Sequence, residues 1–150
     1  MGEFVDTASR PHLTMISYAP HQIHLRELAY TSFRGLGVIR KDRIGVQEYY
    51  DYVSKSMFNV SPPGFGEDCY RHYESILLGA VPIVRNSTLW PMFAGNPFYI
   101  LDDWENVTAK QFTDWRPPST SKKLAMAPYW FDRLTCERDR YLQQRGLRRE

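Results

Sequence analysis

Long apolar runs are missing from this 150-residue sequence. No stretch reaches the roughly 18 consecutive apolar residues of a membrane-spanning helix, and no basic segment leads into an apolar one at the N-terminus, so neither a transmembrane segment nor a signal peptide is expected. Cysteine is scarce. Cys69 and Cys136 are too few for a disulfide framework, no C-x-x-C pair or Cys/His cluster outlines a zinc site, and no metal is expected. An excess of one charge sign is also lacking: 19 basic residues face 17 acidic ones, well mixed, for a net charge of +2. That balance makes no field for a polyanion, and no nucleic-acid partner is expected. The one locally basic stretch, with Arg138, Arg140, Arg145, Arg148 and Arg149, reads as a solvated helix end. No Walker sequence supports ATP hydrolysis. Ser61, followed by Pro62, sits in no nucleophile elbow, and no Ser-His-Asp arrangement is evident.

What is present suits one α/β domain. A chain of this length with 43% hydrophobic and 24% charged residues can bury one core and is too short for two. The single domain is expected over residues 1–150, irregular over 1–12, with a loop at 117–121 and a closing helix over 128–144. Strand and helix patterns alternate along it. Leu13 to Tyr18 is a β-rich apolar run. A polar turn, Ala19 to Gln22, leads to a helical segment from Ile23 to Phe33, ended by Gly35 and Gly37. Val38-Ile39 reads as a short strand, Gln47 to Ser56 as helix, Met57 to Ser61 as strand, Glu67 to Gly79 as helix and Val81 to Val84 as strand. Phe98 to Leu101 is a further strand and Lys110 to Phe112 a helical turn. Such a succession implies a Rossmann-like parallel sheet with helices on both faces.

One unit in this succession carries chemistry. Phe58 to Glu74 runs from a strand through the turn Ser61-Pro62-Pro63-Gly64-Phe65-Gly66 into a charged helix start, and Ala80 to Val84 follows as the next strand. In an open α/β sheet such a turn lies at the carboxyl end of a strand, where ligands bind. Gly64 and Gly66 would let backbone approach a ligand and adopt unusual dihedrals. A helix start offers amide groups and a positive dipole end to phosphate. Arg71 could add a bidentate contact, and Glu74, one turn deeper, could accept from a ribose diol. Taking the helix from Glu67, Cys69, Tyr73, Ile76, Leu77 and Ala80 should face the sheet, with Glu67, Arg71, Glu74 and Leu78 opposite. The plainer reading, surface ion pairs of Glu67 and Glu74 with Arg71, stands beside this one.

The pattern Ser61-Pro62-Pro63-Gly64-x-Gly66-x-Asp68-Cys69-x-Arg71-x-x-Glu74, followed by Leu78-Gly79-Ala80-Val81-Pro82-Ile83-Val84, resembles the donor-binding lobe of exostosin-like GT-B glycosyltransferases. Asp102-Asp103-Trp104 resembles the segment after the next strand in such proteins. The resemblance covers about Leu13 to Leu134, nearly the whole chain but half of a GT-B enzyme. It implies a lobe that binds a nucleoside diphosphate sugar for inverting transfer to a glycan or other hydroxyl acceptor. Acceptor binding and the catalytic base would come from an N-terminal lobe or partner subunit. It places Glu74 at the nucleotide ribose and Arg26 near the diphosphate, and makes Ser61, Pro63, Gly64, Gly66, Asp68 and Arg71 the remaining substrate-binding residues. No cofactor is expected. Glu67 and Glu74 are one residue closer than the E-x7-E pattern of retaining GT-B enzymes, so a retaining mechanism is not inferred. A eukaryotic parent would place the chain in the Golgi lumen, and any other parent in the cytoplasm.

Two other readings stay open: a nucleotide-sugar-binding module without catalysis, and a NAD(P)-dependent oxidoreductase domain. Gly64-Phe65-Gly66-Glu67-Asp68-Cys69 begins like G-x-G-x-x-G, but Cys69 replaces the third glycine and two acids stand where a pyrophosphate would sit. His12, His21, His24 and His72 are scattered, with His21 and His24 near the first predicted loop. Trp90, Trp104, Trp115 and Trp130 read as packing residues before sugar-stacking platforms. Asn59, Asn86 and Asn106 begin N-x-[ST] triplets. Asn59 falls in a predicted buried strand, the others at turn-like positions.

Overall fold

The computed structural model describes residues 10–18, 24–40, 44–64, 66–89, 91, 97–115 and 127–146. Five strands, β1 (His12–Ile16), β2 (Val38–Arg40), β3 (Ser56–Val60), β4 (Val81–Arg85) and β5 (Tyr99–Leu101), form one sheet in the order β2-β1-β3-β4-β5. Every pairing is parallel, with Met15 opposite Ile39 and Asn59, Val60 opposite Ile83, and Val84 opposite Ile100. The helices are α1 (His24–Phe33), α2 (Val46–Ser54), α3 (Tyr70–Leu77), α4 (Ala109–Thr113) and α5 (Ala127–Gln144). The fold is therefore the expected α/β, Rossmann-like sheet.

Side chains alternate across each strand, and the two faces are packed by different helices. On one face Ile16, Phe58, Val60, Ile83 and Leu101 join Ala29 and Phe33 of α1, Phe112 of α4, and Trp104. On the other, Met15 packs with Val53 of α2, and Val84 with Ile76 of α3 and Phe98. The chain thus winds β1-α1-β2 over one face, then crosses to the other for α2 and α3. That reversal opens a crevice at the carboxyl ends of β1 and β3, the topological switch point of a sheet in this order.

Helix α3 ends in a Schellman motif, with Gly79 N–H bonded to Ile76 O at 3.1 Å and Ala80 N–H to Ser75 O at 2.8 Å. Gly79 has φ +78°, and a Cβ there would stand 2.5 Å from an Arg10 guanidinium nitrogen. Arg10 donates to the carbonyls of Ser56 at 2.9 Å and Leu78 at 3.3 Å, tying the amino end of β3 to the end of α3.

Two details differ from the sequence reading. α3 begins at Tyr70, not Glu67, because Cys69 is extended (φ −149°, ψ 155°) and serves as the N-cap. Its buried residues are His72, Ser75 and Ile76, whereas Leu77, expected to face the sheet, is 45% exposed. A helical Glu67–Arg71 pair has no helix to sit on. The expected turn at Ala19–Gln22, the loop at 117–121, His21, Trp90 and the Trp130 side chain lie outside the described residues, as does most of the stretch 1–12.

Candidate functional site

The crevice is bounded by Ser17 and Tyr18 after β1 and by the segment from Ser61 to Cys69 that joins β3 to α3. Ser61 N–H extends the ladder to Ile83 O at 2.9 Å, and Gly64 N–H closes a tight turn on Gly66 O at 2.9 Å. Neither Gly64 nor Gly66 is among the positive-φ glycines, so the turn does not use the left-handed freedom expected of them. A Cβ at Gly64 would reach only ordinary contact with an Arg26 guanidinium nitrogen, 3.4 Å, and one at Gly66 would meet Asp68 O at 3.9 Å, so neither position demands glycine by close packing.

Two arginines converge on this turn from different helices. Arg26 of α1 donates through Nε to Pro63 O at 3.0 Å. Arg71, in the first turn of α3, reaches toward Pro62 O at 3.5 Å. Both guanidiniums face the Tyr18 ring, at 6.0 Å and 5.4 Å from its centroid. Burial, then the neighbouring charge of Arg71, lowers the Arg26 pKa from its ordinary value. Two cations drawn together beside a turn make a local positive potential, and the N-cap of α3 makes no side-chain capping bond to its first-turn amides. Arrangements of this kind attract anions.

A cavity of about 570 Å³ opens on this face, lined by Arg26, Gly64, Gly66, Asp68, Arg71 and Glu74. Ile44, Val46, Tyr49, Tyr50 and Tyr70 supply its apolar and aromatic wall. Burial raises the Tyr49 pKa, the Arg71 charge opposes that rise, and the neighbouring Glu74 carboxylate adds to it. Tyr49 in turn accepts from Asn59 Nδ2 at 3.2 Å, which also donates to Ser75 Oγ at 2.9 Å. A smaller cavity of about 220 Å³ adjoins it, sharing Gly64 and Gly66 and reaching Ser61, Pro63, His72 and Arg85. All eight residues expected to bind substrate therefore line one or both of these cavities.

Sequence reasoning missed His72, which was read as one of four scattered histidines. Its ring is buried, with Nε2 3.3 Å from Ser61 O and Nδ1 3.5 Å from Asp68 Oδ1. It spans the two ends of the turn. The Asp68/His72 spacing of i,i+4 was the available signal. Asp68 Oδ2 also accepts from Tyr73 at 3.0 Å. The neighbouring His72 imidazole is the main influence holding the Asp68 carboxyl below its usual value. Burial opposes the charged imidazolium, but Asp68, Cys69 and the Ser61 carbonyl outweigh it and raise His72 to about 9. Burial likewise opposes the Cys69 thiolate, yet His72, Arg71 and Ser61 bring it down to about 7. Trp104, by contrast, is fully buried under the sheet and lines neither cavity. His12 stacks near Tyr52 and His24 is exposed at the start of α1.

The profile of the RXYLT1 C-terminal domain family matches residues 2–96. The chain belongs to that family. The matched span holds β1 to β4, the turn and α3, hence the entire crevice. RXYLT1 C-terminal domain membership bears out the exostosin-like resemblance and makes this a glycosyltransferase-related domain. A comparison with curated proteins finds no match. Among the described residues no helix is long and apolar enough to cross a membrane, and no group of three or more His, Cys, Asp or Glu is placed to hold a metal ion.

The His72 clamp in this RXYLT1-family turn has a pH signature. A folded pKa of about 9 lies above the ordinary 6.5, so the clamp's contribution is complete below about 6.5 and fades as pH rises through about 9. His72→Gln should lower stability by about 1.5–3 kcal/mol at pH 6.5, the value of a hydrogen bond to a charged group. At pH 10 the loss should shrink. Denaturant unfolding of both proteins at the two pH values checks this, and an equal loss at both would exclude a charged His72.

Proposed function

We propose that this domain is the donor-binding lobe of a GT-B glycosyltransferase, binding a nucleoside diphosphate sugar for inverting transfer to a hydroxyl acceptor on a glycan or another molecule. The observation that carries the reading is the convergence of Arg26 and Arg71 over Tyr18 at the Pro-Pro-Gly turn. The diphosphate lies between the two guanidiniums and the first amides of α3. The nucleoside fills the larger cavity, with its base among Tyr49, Tyr50 and Val46 and its ribose at Glu74. As the glycosidic bond breaks, charge develops on the leaving diphosphate, where preorganised arginines and amides stabilise it without a metal.

Of the carboxylates of this crevice, Asp68 is engaged by Tyr73 and His72, Glu74 is assigned to the ribose, and Glu67 lies exposed on the turn. A base for the acceptor hydroxyl must stand within hydrogen-bond reach of that hydroxyl, and the facing lobe or a partner subunit supplies it. A NAD(P) reading fits less well, since Asp68 and Cys69 stand where the dinucleotide fingerprint needs an open helix start and glycine.

Calorimetric titration with UDP, GDP, CDP and NAD(P) tests the proposal. A nucleoside diphosphate should bind and NAD(P) should not; the reverse result overturns the reading. Within that assay, Glu74→Ala should weaken the preferred nucleotide by about 1.5–3 kcal/mol, roughly tenfold to 150-fold. The matching 2′,3′-dideoxynucleotide should bind wild type and variant alike. Equal losses for both ligands would remove Glu74 from the ribose.

A further inference from the structure

The smaller cavity is not needed by a nucleotide. It lies across Gly64 and Gly66 from the larger one and is walled by Leu25 of α1, Glu67 of the turn, Val84 and Arg85 of β4, and Ser87 just beyond. We propose that this cavity is the subsite for the donor's glycosyl ring, with Arg85 and Ser87 at the carboxyl end of β4 as the residues that read the sugar. The inference rests on the donor-lobe reading and deepens it.

Three observations carry it. The first is connectivity. A nucleoside diphosphate sugar has one bulky group at each end of the diphosphate, and two cavities meet at the turn where Arg26 and Arg71 converge. The second is size. The larger cavity, about 570 Å³, and the smaller, about 220 Å³, rank in the same order as a nucleoside and a single sugar ring. The third is chemistry. A sugar ring presents hydroxyls that both donate and accept, and an apolar C–H face. The cavity offers a guanidinium that donates at Arg85, a carboxylate that accepts at Glu67, and an apolar wall at Leu25 and Val84. Ser87 Oγ accepts from Leu89 N–H at 3.1 Å, which leaves its hydroxyl proton to be donated to a ligand. Arg85 stands half-buried at the end of β4 and lines the cavity.

The measurement is the ratio of Kd for the bare nucleoside diphosphate to Kd for its sugar conjugates, by calorimetry on the full chain. The probes are UDP with UDP-glucose, UDP-xylose and UDP-glucuronate, and GDP with GDP-mannose. Wild type should bind at least one conjugate about tenfold more tightly than the bare nucleotide. Arg85→Ala should bring that ratio close to one, and Ser87→Ala should lower it severalfold. Ser87→Ala removes one hydroxyl and keeps the assay decisive if Arg85→Ala does not fold. A sugar advantage left undiminished in a folded Arg85→Ala or Ser87→Ala overturns the subsite, as does a wild type with no sugar advantage. A wild type that binds no nucleotide at all overturns the donor-lobe reading itself, so the two failures are told apart.

Discussion

Replacing Arg26 and Arg71 together with alanine is expected to weaken nucleoside diphosphate binding by roughly 10²- to 10⁴-fold while leaving the free nucleoside almost untouched. Each guanidinium is placed to make charge-assisted hydrogen bonds of about 1.5–3 kcal/mol, and 1.4 kcal/mol is a factor of ten. In the donor-lobe reading the two would act on one diphosphate, and both face one tyrosine ring, at 6.0 Å and 5.4 Å from Tyr18. Their effects should therefore not add simply. Lysine at either position should restore only part of the affinity, because it keeps the charge and loses the planar fork. Titration of wild type, both single variants and the double variant with a nucleoside and its diphosphate decides the point. If the double variant loses affinity for both ligands equally, the arginines shape the crevice and do not touch phosphate.

The sheet was legible because its strands are short β-branched and aromatic runs set off by Gly and Pro, and β3 and β4 came within a residue or two of their expected bounds. The start of α3 was misread for a physical reason. Glu67 and Asp68 look like the acids that favour a helix N-terminus, but Asp68 is drawn to His72 and Tyr73 across the turn, and Cys69 caps in an extended conformation. A side chain used by tertiary structure leaves no mark in a local pattern. Motif residues from Ser61 to Glu74 were visible because one turn and one helix bring them together. Tyr49, Tyr50 and Val46 were not, because only the strand order β2-β1-β3 carries α2 to the crevice. Arg85 and Ser87 could have been flagged by position alone, since every strand's carboxyl end faces the ligand side of such a sheet.

Trp104→Ala should cost about 3–5 kcal/mol of stability, the range for deleting a large buried aromatic. A domain holding about 5–15 kcal/mol in all would be brought near its unfolding threshold. Trp104 is fully buried, its ring edge-on to Phe33 at 6.2 Å and 68°, in the cluster that joins α1 and α4 to the sheet. Trp104→Phe should cost less than the difference in volume suggests. The indole Nε1 is buried with no hydrogen-bond partner among the described residues. Removing that unmet donor relieves a penalty of about 1–3 kcal/mol, which offsets part of the lost packing. Denaturant unfolding of the three proteins should therefore rank wild type and Trp104→Phe close together and Trp104→Ala far below. Sugar-nucleotide affinity should be unchanged in Trp104→Phe, because the ring lies among Phe33 and Phe112 and lines neither cavity. A stable Trp104→Ala that has lost its sugar ligand would make this tryptophan a stacking platform and reverse the assignment.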